Sequence, residues 1–494
     1  MNKKIHHESL VLLTDLYQLT MAYGYWHQGK AEQQSVFHLF FRINPFHGGY
    51  VICAGLQTVV EFVQDFRFLQ DDLDYLATIC GSDGKPIFSE GFLGYLQDLE
   101  LTVDVDAIQE GTMVFPHEPL LRIQGPILQC QLLETVLLNI INFQSLIATK
   151  ASRIVRAANG DDVLEFGLRR AQGIDGSLSA SRAAYLGGCS ATSNVLAGKK
   201  FGIPVRGTHA HSWVMSFDSE LESFQAYADA MPNNCVFLVD TYDTLEGVRR
   251  AIQIGHTLQE RGQRLLGIRL DSGDLSTLSI SARKLLDEAG FTATKIVASN
   301  DLDERLIQSL KLQGAAIGVW GVGTKLVTAY DQPALGGVYK LAAIQSEDGS
   351  WQPTIKLSEQ ILKISNPGIQ GVRRFYGLDG FATCDMIYNE LQPPGATVSI
   401  VDQVDPSNHV TIPEFMSTQE LLKPVIRKGK VLEPLPSLTE SRSRAMDQLQ
   451  NFQNAILRFD NPQQYLVGLE HQLYELKSRM VLEARRARSS SGER

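Results

Sequence analysis

The sequence is short of several things that would have set its class at once. It has only six cysteines in 494 residues, and Cys53, Cys80, Cys130, Cys189, Cys235 and Cys384 form no C-x-x-C pair and keep no regular spacing. That argues against a disulfide scaffold or a cysteine zinc site and fits reduced thiols filling core space in a cytoplasm. There is no excess of positive charge, since 45 Lys and Arg face 55 Asp and Glu for a net charge of -10. General nucleic-acid binding needs a basic face toward phosphate, so no nucleic-acid partner is expected. A small anion in a local basic pocket stays open. Uninterrupted apolar runs are also missing: Leu132 to Ala148, the most apolar stretch, carries Glu134, Asn139, Asn142 and Gln144. It reads as a buried helix, and no membrane span is expected. The basic Met1 to Lys4 is followed by His6, His7 and Glu8 instead of an apolar segment, so no signal peptide is expected. No G-x-x-x-x-G-K-[ST] occurs, so any use of ATP must rely on other architecture, and no repeat at solenoid periods is visible.

What is present is ordinary in bulk, 44% hydrophobic and 20% charged, as in a soluble globular protein. The length exceeds what one core usually serves, so two domains or more are expected. Leu10 to Trp26, with Thr14-Asp15 ahead of Tyr17, Leu19, Met21 and Tyr25, has helical spacing and a carboxylate toward its start. Residues 36 to 60 read as strand, turn and helix, and 103 to 124 as short strands. From about residue 150 apolar runs alternate with helical stretches: 163–166, 203–206, 236–239, 265–268, 295–298 and 317–320, separated by segments such as 245–258 and 278–289. Such runs indicate parallel strands with crossover helices. Polar or glycine residues follow every one of them, as at the C-terminal mouth of a barrel, whereas an open doubly wound sheet would gather them at one switch point. The expected fold is α/β, an irregular TIM-like α/β barrel with an N-terminal α/β domain. Its partition is 1–150 for the N-terminal domain, 151–345 for the catalytic barrel, 346–460 for a cap or a return to the first domain, and 461–494 for a C-terminal helix and a tail disordered from about Arg485.

The strand ends carry the chemistry. Gly207-Thr208-His209-Ala210-His211-Ser212 places two imidazoles and hydroxyls after an apolar run. Their i, i+2 spacing is not that of helical zinc ligands, but a neutral imidazole can accept a phosphoryl group when another group holds its second nitrogen. Arg269-Leu270-Asp271-Ser272-Gly273-Asp274 puts an arginine suited to a planar anion beside a carboxylate suited to magnesium or ribose hydroxyls. Gly321-Val322-Gly323-Thr324-Lys325 offers amide N–H groups, a hydroxyl and an ammonium to a phosphate. In Glu165-Phe166-Gly167-Leu168-Arg169-Arg170, a flat aromatic acid could stack on Phe166 while an arginine pairs its carboxylate. Asp240 follows Val236 to Val239, and is expected to orient an imidazole or a metal. Each of these has a bland alternative: a structural ion pair, a plain glycine turn, a core phenylalanine with surface arginines.

Taken with Leu13-Thr14-Asp15-Leu16-Tyr17-Gln18-Leu19-Thr20-Met21, Phe41-Arg42-Ile43-Asn44-Pro45-Phe46 and Gly336-Gly337-Val338-Tyr339-Lys340-Leu341, these segments resemble the nicotinate phosphoribosyltransferase family over about residues 10 to 375. The resemblance implies a type II phosphoribosyltransferase that joins nicotinate to 5-phosphoribosyl 1-diphosphate, with magnesium, and with ATP as co-substrate cleaved through a phosphohistidine. It implies a homodimer with shared active sites. Carried over motif by motif, His211 is the phosphorylated residue and Asp271 holds ribose hydroxyls or magnesium; Asp240, from its place after the apolar run, is expected to act beside them as a third catalytic residue. Tyr17, Phe166, Arg169, Thr208 and Arg269 hold nicotinate, with Tyr17 reaching in from the partner subunit. Arg42, Gly321, Gly323, Thr324, Lys325 and Lys340 contact phosphates.

Three rivals remain at this point. A nicotinamide-using relative would place an acid near Ala191-Thr192-Ser193-Asn194, where there is none. A sugar-phosphate lyase or aldolase would use Lys325 or Lys340 as an amine nucleophile, and a phosphoribosyl sensor would bind without turnover.

Overall fold

A computed structural model describes residues 9–490, apart from 361–362, 396–397, 404 and 413–416. The chain forms two compact units: one runs to Leu146 and resumes at Ala334, and the other is Ile147–Pro333.

The second unit is a parallel α/β sheet of six strands in the order Ala191–Thr192, Asp162–Glu165, Val319–Val322, Lys295–Ala298, Gly267–Leu270, Val236–Leu238. Every neighbouring pair is parallel, so all C-terminal ends lie along one edge. The strands are short and nearly continuous in apolar residues because helices bury them. Thr244–Glu260 does so through Val248, Ala251, Ile254, Gly255 and Leu258, one stripe at helical spacing. It lies close enough that a Cβ on Gly247 would meet the Val239 carbonyl oxygen at 2.2 Å. Three crossover helices start alike: Asp243, Asp274 and Asp303 each accept backbone N–H groups of the first turn, a cap that contributes about 1 kcal/mol.

The expected strand at 203–206 is not one. Only a single parallel bridge, Thr192 to Val205, forms there, because Gly202 and Pro204 interrupt a regular ladder. The cylinder is therefore incomplete at one seam, between this segment and the edge strand Val236–Leu238. The two-residue strand Ala191–Thr192 takes the place next to Asp162–Glu165.

In the first unit, seven antiparallel strands run in the order Trp351–Pro353, Val338–Gln345, Gln34–Phe40, Leu121–Pro126, Asp104–Ile108, Leu422–Arg427, Lys430–Val431. Residues 338–345, read from sequence as the end of the barrel, pair with the strand Gln34–Phe40. A six-stranded sheet follows, built on Gln370–Tyr376 and Ala382–Asn389. The N-terminal helix covers Leu16–His27. The C-terminal helix, His471–Ser490, continues through the stretch from Arg485 that was expected to be disordered; its Glu, Arg and Ala residues are good helix formers. Residues 491–494 of that tail lie outside the described residues. The six cysteines are free, and all but Cys80 are buried. Among the described residues no helix is long and apolar enough to cross a membrane.

Candidate functional site

The edge of the parallel sheet gathers the predicted residues of the second unit. At its centre, the His211 side chain is 40% exposed, with Nε2 3.9 Å from Asp271 Oδ2. Its Nδ1 lies 3.1 Å from Thr241 Oγ1. Asp240, expected to orient an imidazole, does something else. Its Oδ2 accepts Asp271 N at 2.8 Å and Ser272 Oγ at 2.6 Å, fixing the turn after Leu270. Its Oδ1 is buried with no hydrogen-bond partner. The neighbouring Thr241 holds the imidazole instead. The sequence signal for it is a hydroxyl that directly follows the apolar run and the acid.

His209 shows why the two histidines differ. Its Nε2 accepts the N–H of Leu238 at 3.2 Å, and its Nδ1 lies 3.4 Å from Ala210 O. The neutral tautomer with hydrogen on Nδ1 satisfies both. Burial brings its pKa down to about 4, and Arg269 and His211 push the same way. The ring thus supplies an acceptor to the edge strand at the seam where the barrel lacks a strand, a structural role.

Arg269 is held at the strand end by Thr208 Oγ1 and by His209 O at 3.3 Å. Its Nε is buried without a partner. Burial lowers its pKa; Asp271 and Asp240 oppose this, and Arg169 adds to it. Two guanidinium groups therefore act on one region, which suits a carboxylate. Phe166 follows Asp162–Glu165, and a Cβ on Gly321 would meet its ring at 2.7 Å. Gly321 thus makes room for that aromatic ring. The turn from Phe166 is fixed by Glu165, whose buried carboxylate accepts Gly167 N, Ser181 Oγ at 2.8 Å and Thr192 Oγ1 at 2.5 Å. The segment 191–194 accordingly faces a saturated acid, not a free one.

Asp271 also accepts the Ser299 hydroxyl. The following Asn300 and Asp301 have φ of 90° and 36°, left-handed backbone that side-chain-bearing residues adopt at a cost and that clusters at functional loops. Among the described residues no group of three or more His, Cys, Asp or Glu could hold a metal alone. Asp271 with the unpartnered Oδ1 of Asp240 offers two hard oxygen donors, a set that fits magnesium, which keeps water and phosphate oxygens for its other positions.

Gly323 and Thr324 begin the short helix Thr324–Val327. Lys325 is not a free cation: its Nζ is 2.7 Å from Asp303 Oδ2, and this partner raises its pKa. An amine nucleophile needs the opposite shift, which removes Lys325 from an aldolase reading. The next residue, Glu304, accepts Lys150 at 2.7 Å and Arg153 at 2.8 Å; sequence reasoning missed this buried triad because Arg153 and Glu304 are 151 residues apart.

Tyr17, Arg42 and Lys340 belong to the first unit. Tyr17 is 49% exposed, in a stripe with exposed Leu13, Leu16 and Met21 along the N-terminal helix and the residues before it. Arg42 is half-buried with Nε unpartnered, and Lys340 donates to Tyr339 O at 2.7 Å.

Comparison with known proteins supplies the family. Three consecutive segments match the nicotinate phosphoribosyltransferase models: residues 12–142 the N-terminal domain, 162–365 the family model and 369–477 the C-terminal domain. The chain is 44% identical over 488 residues to the nicotinate phosphoribosyltransferase of Bacillus subtilis, covering 97% of this chain and 96% of that one. The crystal structure of human nicotinic acid phosphoribosyltransferase superposes with a TM-score of 0.83 at 34% identity, covering 94% of this chain and 99% of the other. The Pyrococcus furiosus nicotinate-nucleotide pyrophosphorylase, at 21% identity and a TM-score of 0.68, shares the fold. With these matches running nearly end to end, the chain belongs to the nicotinate phosphoribosyltransferase family.

Proposed function

We propose that this enzyme joins nicotinate to 5-phosphoribosyl 1-diphosphate, giving nicotinate mononucleotide and diphosphate for NAD biosynthesis or salvage in the cytoplasm, with ATP hydrolysis coupled through a phosphorylated His211. The observation that carries the reading is Arg269, a half-buried guanidinium with a buried, unpartnered Nε beside the charge of Arg169, at a strand end next to Thr208. That arrangement seats a carboxylate and is poorly matched to an uncharged amide. Phe166 provides the face on which the pyridine ring lies.

The ring nitrogen is already a nucleophile, so no strong base is needed. As the bond from the anomeric carbon to diphosphate breaks, positive charge grows on the sugar and negative charge on the leaving group. Asp271 and Asp240 would hold magnesium, which when bound neutralises phosphate charge. Arg42 and Lys340 bind phosphate oxygens; Gly323 and Thr324 offer N–H and hydroxyl donors to the 5-phosphate. On His211, Nδ1–H donates to Thr241 Oγ1, leaving the Nε2 lone pair to attack the γ-phosphorus of ATP. The N–P bond forms as the P–O bond to ADP breaks, and the proton stays on Nδ1. The phosphorylated ring then favours bound substrate over product, tying ATP cleavage to product formation by differential binding. The exposed stripe of Leu13, Leu16, Tyr17 and Met21 supports a homodimer that covers it and delivers Tyr17 to the partner's nicotinate.

The test is nicotinate-dependent diphosphate release with and without ATP, against nicotinamide and quinolinate. The expected result is turnover with nicotinate, raised by ATP, with γ-phosphate label on the protein that His211→Ala abolishes. Preference for nicotinamide, or a borohydride-trapped lysine adduct with a sugar phosphate, would replace the reading.

A further inference from the structure

The loop that follows Val319–Val322 is too short to hold itself. Its helix, Thr324–Val327, has four residues, against the roughly 12–15 at which an isolated helix is still marginal in water. Soon after it, Ala329 takes a left-handed backbone, φ 43°, which a residue with a side chain keeps only where its surroundings impose it. Contacts from elsewhere in the second unit supply what the loop lacks. Near its start the Lys325 ammonium pairs with Asp303 at 2.7 Å, and beyond its end Asp331 Oδ1 lies 2.8 Å from Lys150 Nζ.

Lys150 and Arg153 stand three residues apart on the helix Glu134–Ala158, hence on one face, and both are buried. That face meets Glu304, buried as well, with Lys150 Nζ 2.7 Å from Oε2 and Arg153 Nε 2.8 Å from Oε1. Glu304 opens the helix Glu304–Leu312, and Asp303 caps it. The loop these two acids close also carries Ser299, whose hydroxyl donates to Asp271. Burial raises the Asp303 carboxyl, but Lys325, the Leu306 N–H and Lys150 together bring it below the usual carboxylate range. Three cations and three carboxylates are thus linked, from Arg153 through Glu304 and Lys150 to Asp331, and across the 303–304 peptide to Lys325. Lys150 is the member paired with carboxylates on both loops. A buried ion pair is often no more stabilising than apolar side chains of the same volume, so stability alone does not account for one that ends on two loops of the rim.

We propose that Lys150 is a positioning residue: pairing with Glu304 and Asp331 at once, it holds the loops 299–303 and 323–331 in register, so that Gly323 and Thr324 are set for a 5-phosphate before substrate arrives. It acts through the loops, not on the substrate. The proposal rests on the phosphoribosyl-transfer reading for its ligand, while its geometry lies wholly within the second unit. A loop already ordered when the sugar phosphate binds loses no affinity to ordering. With one arm of Lys150 removed, the loop orders only on binding, and affinity for the 5-phosphate falls. Nicotinate, held by Arg269 and Phe166 at other strand ends, is not affected.

The test compares the full-length wild type with Asp331→Asn, Asp331→Glu and Lys150→Met, by steady-state kinetics and by calorimetric titration of ribose 5-phosphate and of inorganic diphosphate. The Asp331 side chain is 45% exposed, so Asp331→Asn removes one arm while Lys150 keeps Glu304, and the variant should melt with the wild type. It is expected to raise KM for phosphoribosyl diphosphate about tenfold and to weaken ribose 5-phosphate by the same factor, with kcat, nicotinate KM and diphosphate affinity little changed. Asp331→Glu, which keeps the charge, should restore much of the loss. Lys150→Met should show the same pattern more strongly; should it fail to fold, Asp331→Asn still decides. Equal losses for nicotinate and phosphoribosyl diphosphate, or a lower melting temperature with unchanged affinities, would make the network merely structural and overturn the proposal. If the wild type does not turn over nicotinate, yet Asp331→Asn weakens ribose 5-phosphate, the functional reading fails while the positioning role stands.

Discussion

Two arginines, one in each unit, have opposite surroundings. Arg374 is fully buried and satisfied on all sides. Its Nε and Nη2 grip Asp385 at 2.9 and 2.6 Å, and its remaining donors reach Gln448 Oε1 at 3.1 Å and Met113 O at 2.8 Å. The Phe452 ring centre is 5.0 Å away. Burial alone would lower its pKa, yet Asp385 overrides it and the net shift is upward. Arg269 has a hydroxyl and a carbonyl for partners and a bare Nε, and there burial wins. Arg374 is the more deeply buried of the two, but what sets the direction of each shift is satisfaction. A guanidinium whose three nitrogens all have partners fastens the C-terminal sheet to the segment around Met113, while one left short at a strand end is poised for an anion.

The comparison breaks first at Arg374. Arg374→Met leaves Asp385 buried without its counter-ion, beside a Glu118 whose carboxyl burial and Asp385 already hold well above the usual carboxylate range. Breaking such a pair costs about 3–5 kcal/mol, so denaturant unfolding should show a loss of that size, partly restored by Arg374→Met with Asp385→Leu. A variant as stable as wild type would mean satisfaction is not what marks a structural arginine.

Next is the pH dependence carried by His209. Its folded pKa of about 4 lies below the ordinary 6.5, so the unfolded chain binds the extra proton. Its contribution to stability is present above about pH 6.5 and is lost as the pH falls toward 4. About 2.5 units at 1.36 kcal/mol each gives an upper value near 3 kcal/mol. His209→Gln should reduce that slope between pH 7 and 4.5, leaving the parts due to His38 and His117. An unchanged slope would remove the seam role and place His209 with the site instead.

Arg269→Gln sharpens the other half of the comparison. With one charged anchor gone, kcat/KM for nicotinate should fall about a hundredfold, near 2.7 kcal/mol. The unfolding midpoint should fall by far less than for Arg374→Met, since no acid is hydrogen-bonded to Arg269. A loss of stability like that of Arg374→Met would erase the distinction.

Much of the rim was legible because its signals are local. The strand Lys295–Ala298 was read within its own bounds, and the helix Thr244–Glu260 to within two residues at its far end, since apolar period and breakers act over a few residues. The acids were harder. Asp243, Asp274 and Asp303 follow strands just as Asp240 and Asp271 do, yet the first three cap helices; at sequence level a cap and a ligand are the same residue after the same apolar run. Glu165 stood inside a quoted motif, but its three donors come from separate turns of the chain. Pairing of 338–345 with Gln34–Phe40, or of Lys477 with Asn366, spans distances over which periodicity carries no information.

Thr241 tests the finest distinction, between holding a side chain and touching substrate. Its hydroxyl is the one hydrogen-bond partner given to His211 Nδ1 among the described residues, at 3.1 Å, while Nε2 faces Asp271 at 3.9 Å. Thr241→Val keeps the shape and removes the acceptor, so the ring loses its preference for carrying hydrogen on Nδ1. A neutral hydrogen bond of this kind contributes about 1 kcal/mol, so phosphorylation of His211 should slow about fivefold, with Thr241→Ser restoring it. Nicotinate KM without ATP should stay where it is, because Thr241 holds the imidazole and Arg269 holds the acid. If KM without ATP rises instead, Thr241 belongs with the residues that contact substrate, and the imidazole takes its orientation from Asp271.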